Sequence, residues 1–342
     1  MKLTMREIAN MAGVSVTTVS QILNNKGSRF SKETREKVMG IVDQYQYKPD
    51  FFASNIITRH SKTIGMIVPD VTDFFFSKVV EGVETYLNSL GYMILLCNSK
   101  HSVEQETQYV TELLHRSVDG IILATPNLLS EDHALKRQQR GSFPVVLIDR
   151  GINIREHGQL LVEEFEGASQ AVEYLIANGH RHIGMLKETQ GYYQLTERLA
   201  AYRSVLSKHG LPINENYIQM GELTLKGGYQ AAKKVLENPE VTAIFCGNDE
   251  MAVGAYQAVF EKGLRIPDDI SVIGFDGLEI SEYLAPSLTT VYQPAFDIGF
   301  YAAKFLVEAI HGDAQKMPNK TFETTFVERN STKKIDNSKK KG

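Results

Sequence analysis

Few of the features that mark an enzyme, a disulfide scaffold or a membrane protein are present in this chain. Its 342 residues include only two cysteines, Cys97 and Cys246, far apart and each inside an apolar run. No Cys-x-x-Cys pair occurs, which argues against a disulfide framework and a zinc site and leaves buried thiols in a reducing compartment as the expectation. No apolar stretch reaches the roughly 18 residues that a membrane helix needs. The amino terminus lacks the charged-then-apolar run of a signal peptide. A soluble, cytoplasmic protein is therefore expected. The nine histidines are scattered, and His180 and His182 read as helix-end residues beside Gly179. There is no GxSxG elbow, zinc pair or phosphate loop, and Gly227-Gly228 is a lone doublet. Catalysis is thus the runner-up class, and no cofactor or metal is expected. The lysine-rich tail, residues 331–342, has no leucine heptad; it is expected to be disordered and not to form a tetramerising coiled coil.

What is present is a helix, a tight turn and a second helix within the first fifty residues. Ile8, Ala9 and Ala12 recur at helical spacing, Gly13 permits a left-handed turn, Ser15 can cap the next helix, and Val19 and Ile22 return the apolar contact. Val16, Thr17 and Gln21 are left on the open face of the second helix. Short and amide-bearing side chains suit thymine methyls and base edges, so a helix-turn-helix reading a DNA groove is the sharper reading. The blander one is a small helical domain with a polar surface. Charge favours the first. Residues 1–60 hold nine Lys or Arg against five Asp or Glu, net +4, and the other 282 hold 28 against 36, net −8. A cationic module on an acidic body suits phosphate-backbone binding joined to a sensor.

A chain of this length with 42% hydrophobic residues can bury more than one core. A third helical stretch spans 32–45, and Pro49-Asp50 can start a short helix through Ile57. A polar segment, Arg59 to Lys62, precedes a change of pattern at Thr63. From there the runs IGMIV, YMILLCN, GIILAT, PVVLID, HIGML, AIFCGND and SVIGFD alternate with amphipathic segments. This is a βαβ rhythm, and unalternated apolar runs are what parallel strands show when helices cover both faces. Seven strands point to two lobes with a cleft. Pro286 to Val291 reads as a crossover back toward the first lobe. The boundaries are then 1–48 for the helix-turn-helix domain, 49–62 for a hinge helix and linker, and 63–330 for the two-lobe domain. Lobe one takes about 63–158 and 291–320, and lobe two about 159–290 and 321–330.

Ligands of open α/β sheets sit beyond the carboxyl ends of the strands. The residues there are Asp73, Phe75 and Phe76, then Asp149 and Arg150, Asn248 and Asp249, Asp276 and Gln293, with Arg198 as a further donor. Carboxylates, amides and guanidinium groups bind hydroxyl pairs bidentately, and aromatic rings stack on the flat faces of sugars, so the set suits a small carbohydrate. Each residue alone could equally cap a helix or fill a turn, and Asn248-Asp249 would make a good helix start.

Together these residues resemble the LacI/GalR family of bacterial transcription regulators over essentially the whole chain from Met5 to Asn330. The resemblance rests on GVSVTTVSQILN, YKPDFFASNI, Thr63 to Gly82, VDGIIL, PVVLIDR, GNDEMAVGAYQA, IPDDISVIGFD and PSLTTVYQP. Within the family, PSLTTVYQP and VERNST are most similar to ribose-operon repressors. The resemblance implies an α helix-turn-helix DNA-binding domain followed by an α/β two-lobe, periplasmic-binding-protein-like sensor domain. It implies a homodimer on a near-palindromic operator, with DNA contacts from Thr4, Val16, Thr17, Thr18, Ser20, Gln21, Asn24, Ala53 and Ile56. Pro49 to Ile57 matches the hinge helix, with Ile56 where a leucine wedge is usual and Ser54 where Arg is frequent. Asp73, Phe75, Phe76, Asp149, Arg150, Arg198, Asn248, Asp276 and Gln293 match positions that hold ribose in relatives. Asp73 stands in place of the usual Asn and Gly277 in place of a common second Asp, which leaves another pentose, a hexose or a disaccharide such as sucrose open. The implied activity is repression of a sugar-utilisation operon relieved by a sugar, with a corepressor-dependent regulator as the alternative and a sugar-converting enzyme as the remote one. Some relatives also bind a phosphocarrier protein on the first lobe.

Overall fold

A computed structural model describes residues 3–23, 27–47, 60–125, 143–148, 158–189, 193–312 and 318–335. The chain divides into two units, Met1–Ser61 and Lys62–Gly342.

In the first unit, α1 (Met5–Ala12), α2 (Val16–Leu23) and α3 (Lys32–Gln44) enclose a small core of Ile8, Ala9, Ala12, Val19, Ile22, Val38 and Val42. Local chemistry sets each end. Thr4 and Glu7 form a capping box at the start of α1, and Gly13 takes the left-handed conformation at φ 70°. Ser15 Oγ accepts from the Thr18 amide at 3.1 Å, and Ser31 caps α3 through the Thr34 amide at 3.2 Å.

The second unit holds two six-stranded sheets. The first runs β11-β5-β4-β3-β1-β2, from β1 (Thr63–Val68), β2 (Met93–Asn98), β3 (Gly120–Leu123), β4 (Val145–Ile148), β5 (Gly158–Val162) and β11 (Lys320–Phe322), all parallel. The second runs β12-β10-β9-β8-β6-β7, from β6 (Ile183–Glu188), β7 (Ile218–Gly221), β8 (Ala243–Cys246), β9 (Ser271–Asp276), β10 (Thr289–Tyr292) and β12 (Thr325–Val327); only β12 is antiparallel. The α/β two-lobe expectation is borne out. Central strands β3, β4, β8 and β9 are buried along their whole length, because helices cover both faces of each sheet. Helices α4 (Phe74–Ser89), α5 (Val103–His115) and α11 (Ala295–Ile310) cover the first sheet. Helices α6 (Glu164–Ala177), α7 (Tyr193–Lys208), α8 (Leu225–Val235) and α9 (Asp249–Glu261) cover the second. Helices α4 and α11 meet at Gly82 and Gly299. A Cβ on Gly299 would stand 1.9 Å from the Val79 carbonyl oxygen, so only glycine allows that approach.

The lobe boundaries differ from the sequence expectation in three places. β5 pairs with β4 in the first sheet, so the first crossing falls between Val162 and Glu164 rather than near residue 158. Thr289–Tyr292 is strand β10, in register with Ile273–Asp276 of the second sheet, and the crossing assigned to Pro286–Val291 comes after it, at Gln293-Pro294. β11 keeps residues up to Phe322 in the first lobe. Strands this short carry too little periodicity to be read, and β-branched Thr and Val at 289–291 suit a strand as well as a linker. Cys246 is buried as expected, but Cys97 is only partly buried because β2 is an edge strand.

The start of the tail, 331–335, also departs from expectation, while 336–342 lie outside the described residues. Residues 331–335 dock on the second lobe rather than remaining loose: Ser331 is fully buried, its Oγ donates to Val272 O at 2.6 Å and accepts from the Thr289 amide at 2.8 Å. The Ile335 amide donates to Asn178 O at 2.7 Å. Lysine content suggested solvation, but the backbone groups of this segment find buried partners that composition does not reveal. Among the described residues no helix is long and apolar enough to cross a membrane.

His180 fastens the tail from the other side, with its ring nitrogens 2.9 Å from Thr242 Oγ1 and 3.2 Å from Lys333 O. Burial pushes its pKa down to about 4. The unfolded chain therefore binds a proton that the folded chain refuses, and the His180 contribution, complete above about pH 6.5, is lost as pH falls toward 4. The wild-type protein should lose on the order of 3 kcal/mol more stability than His180→Gln across that window. Urea titrations at both pH values check this.

Candidate functional site

On the open face of α2, Val16 is 42% exposed and Thr17 is exposed, whereas Val19 and Ile22 are turned into the core. Thr18 and Ser20 are partly buried, and the Thr18 hydroxyl lies 2.9 Å from Ser15 Oγ. Thr4 is committed to the capping box of α1, with its hydroxyl donating to Glu7 Oε2 at 2.8 Å. Gln21 accepts a hydrogen bond on Oε1 from the Arg29 guanidinium, which also lies 5.0 Å from the Phe30 ring centre. With Oε1 held by a cation, the Gln21 amide nitrogen is oriented as a donor. Arg29, in the 3-10 turn Gly27–Arg29, was not singled out in the sequence because the turn that carries it back to α2 has no clear local signature. Asn24, Ala53, Ile56 and the hinge segment Pro49–Ile57 lie outside the described residues.

In the second unit the strand-end residues converge on one cavity of about 320 Å³, at the lower end of the roughly 300–1,000 Å³ usual for small-molecule sites. Asp73, Phe75, Phe76, Arg198, Asn248, Asp276 and Gln293 all line it. Asp149 and Arg150 lie outside the described residues. Asp249 does not line it: fully buried, it accepts from Thr290 Oγ1 at 2.6 Å and from the Leu278 amide at 2.7 Å, tying α9 to the second sheet.

The helix-cap readings hold, and the same residues line the cavity. Asp73 caps α4, with Oδ1 accepting from the Phe75 amide at 2.8 Å. Asn248 caps α9, with Oδ1 accepting from the Met251 amide at 2.8 Å. Each cap therefore sets a side chain at the cavity edge. Phe75 is buried in the core of the first lobe and meets Phe76 edge to face at 5.3 Å.

Arg198 forms the floor. Its Nε and Nη2 donate to Glu164 at 2.5 and 3.0 Å, its Nη1 donates to Gly247 O, and its guanidinium stacks 3.6 Å from the Phe275 ring centre. Asp276 Oδ1 lies 3.7 Å from Arg198 Nη2 and accepts from Gln293 Nε2 at 2.6 Å. Asp276 ends β9 at φ 106°, a left-handed conformation for a residue with a Cβ, and such strain is held where the surroundings overdetermine it. Gln293 Oε1 and Glu188 Oε2 are buried without a hydrogen-bond partner among the described residues.

Nine further cavity residues were missed in the sequence, five of them titratable: Asp70, His101, Glu188, Glu222 and Glu250. Glu188 had a readable signal, since it ends β6 as Asp276 ends β9; the lysine before it broke the apolar run. Glu250 sits in the first turn of α9, where an acid is ordinarily explained by the helix dipole. Burial raises the carboxyl pKa of Asp73 to about 6, of Glu250 to about 7 and of Glu188 to about 8, with the Asp73 charge adding to the rise at both glutamates. Asp276 is pushed well up by burial, against the pull of Arg198.

Because these pKa values are higher folded than unfolded, the folded protein holds protons more tightly, and stability falls as pH rises through the folded values. Between about pH 6.5 and 8.5 the ligand-free protein should lose stability, with Glu188 contributing on the order of 2 kcal/mol. Glu188→Gln should flatten that slope in urea titrations, and an unchanged slope would count against a buried carboxyl there.

Residues 4–50 match the model of bacterial regulatory proteins of the lacI family, and residues 172–332 match that of a periplasmic binding protein-like domain. The chain is 35% identical over 337 residues to the HTH-type transcriptional repressor PurR of Vibrio parahaemolyticus, covering 97% of this chain and 99% of that one. Among solved structures it is similar to the lac repressor dimer bound to operator and the anti-inducer ONPF, with a TM-score of 0.87 and 28% identity over 97% of this chain and 100% of that one. It is also similar to a LacI family transcriptional regulator from Enterococcus faecalis with bound ribose, with a TM-score of 0.72 and 32% identity over 80% of this chain and 100% of that one.

Proposed function

Since this chain belongs to the lacI family of bacterial regulatory proteins and is a DNA-binding transcriptional regulator, we propose that it represses a sugar-utilisation operon and leaves its operator when a small sugar enters the cavity. D-ribose is the first sugar to test. The observation that carries this reading is the buried array of Arg198, Asp276 and Gln293 that lines one cavity with Phe75 and Phe76. A guanidinium, a carboxylate and an amide at the ends of neighbouring segments suit adjacent hydroxyls, and the rings suit an apolar sugar face. Gln293 Oε1 and Glu188 Oε2 add acceptors awaiting donors, and leaving such groups unmade costs about 1–3 kcal/mol each. The relative with bound ribose supports the same sugar class.

In this reading two chains pair, each placing one helix-turn-helix on a half-site, with Val16, Thr17 and Gln21 toward the bases. The sugar bridges the lobes, and the shift of the first lobes releases the segment Pro49–Ile57 from DNA, an order-to-disorder switch. Linkage then requires that the sugar favour the DNA-free form by the factor it costs operator affinity.

Calorimetry with D-ribose, followed by operator binding with and without the sugar, tests the proposal; release on ribose is the expected outcome, and tighter DNA binding would make the ligand a corepressor. Gln21→Ala should relax discrimination at one base pair by about 1–3 kcal/mol, whereas equal losses on every sequence would remove Gln21 from base reading. Asp276→Asn should abolish the sugar response with operator affinity retained, and loss of both would assign Asp276 to folding. Turnover of ribose, followed by NMR, would support the enzyme reading instead.

A further inference from the structure

The cavity is far more acidic than a neutral sugar requires. Among the described residues six carboxyl groups, those of Asp70, Asp73, Glu188, Glu222, Glu250 and Asp276, line it against the single guanidinium of Arg198, and a further cation among them would favour their charged forms. That cation is already paired with Glu164, which lies behind the lining, through two hydrogen bonds. The acids also come from both lobes: Asp70 and Asp73 follow β1 of the first sheet, whereas Glu188, Glu222, Glu250 and Asp276 belong to the second lobe.

We propose that the effector is a sugar bearing a protonated amine. The inference rests on the cavity being the effector site and narrows the chemical class of ligand. Its second support is independent of the charge count: Glu188 is only 8% exposed, lines the cavity and has an Oε2 without a hydrogen-bond partner among the described residues. Gln293 Oε1, on a side chain 3% exposed, is in the same condition. Buried acceptors without donors ask for a ligand that donates more than it accepts. A hydroxyl donates once and also accepts; an ammonium group donates three times, accepts nothing and carries the charge that the surplus carboxylates lack.

A metal ion is the other way to satisfy such a surplus, but no group of three or more His, Cys, Asp or Glu among the described residues is arranged to hold one. The carboxylates are spread around the cavity, as suits an organic ligand whose amine meets some of them while its hydroxyls meet the Arg198, Asn248 and Gln293 end. A cation between lobes that both present acids also has a mechanical effect. Without it, the charge of Asp73 on the first lobe works against ionisation of Glu188 and Glu250 on the second; with it, acids of both lobes can ionise toward the bound ligand. Ligand charge would thus contribute to closure itself.

Calorimetry on the full chain at neutral pH, with D-glucosamine, N-acetyl-D-glucosamine, D-glucose, D-ribose and putrescine, tests the proposal, each compound also being added to operator-binding assays. Glucosamine should bind at least about tenfold tighter than its acetylated and deaminated counterparts, a factor equal to about 1.4 kcal/mol. Its advantage should shrink at high potassium chloride, and Glu188→Gln should shrink it at low salt. Glu222→Gln provides a second variant should the first fail to fold. Ribose or glucose binding as tightly as glucosamine would overturn the amine while leaving a sugar effector in place. Putrescine matching glucosamine would overturn the sugar. If no compound binds or alters operator affinity, the assignment of the cavity as a sugar effector site falls as well.

Discussion

The sensor cavity depends on one buried cation. Arg198 is 5% exposed and meets a carboxylate, a main-chain carbonyl and an aromatic face at once. Removing a guanidinium from water costs several kcal/mol unless its donors are satisfied, and Glu164, Gly247 and Phe275 supply that satisfaction. In return the cation stabilises negative charge at Asp276, Glu188 and Asp73, each of which burial would otherwise neutralise still more strongly. An arginine with a rigid planar fork can serve the carboxylate on one edge and the stack on its face together, which a lysine cannot.

One of the residues that hold Arg198, and one that holds Asp276, stand where the chain passes between lobes. Glu164 follows the first crossing directly, and Gln293 lies in the second, where its main-chain amide donates to Asp276 O and its side chain to Asp276 Oδ1. Thr324 lies in the third, close against Gly167 at the start of α6. Cavity lining and inter-lobe connections therefore share a few positions. A ligand that reorganises Arg198, Asp276 or Gln293 acts on the segments about which the lobes can turn, with no need for a long relay through either core. The strained φ of Asp276 fits the same picture, since it sits where β9 ends and the cavity begins.

Much of this was legible residue by residue. The capping box at Thr4, the left-handed Gly13 and the Ser15 cap are local signals, and they set the helix-turn-helix ends where the sequence put them. The seven long apolar runs all became strands, and the rule that ligands gather at strand ends brought seven of the proposed residues to one cavity. The omissions have physical causes. Strands β5, β10 and β11 are three to five residues long and owe their place to neighbours rather than to their own pattern. Ser331 and Lys333 looked solvated because their docking comes from hydrogen bonds of the Ser331 hydroxyl and the Lys333 amide to residues more than forty positions away in sequence. Glu188 and Glu250 carried the ordinary explanations of a strand end and a helix start.

The order of elements, the caps that begin the helices, the division between a basic module and an acidic body, and the residue types at the strand ends are all readable along the chain. Each of these is set by interactions within a few residues or by composition. It takes the fold to bring six carboxyl groups from separate segments into one cavity with a single, already paired guanidinium among the described residues, and to leave two buried acceptors there without donors among them. The reason is that electrostatic energy and desolvation depend on distance and burial, which the fold sets by bringing together residues from Asp70 to Gln293, and neither quantity can be read from order along the chain.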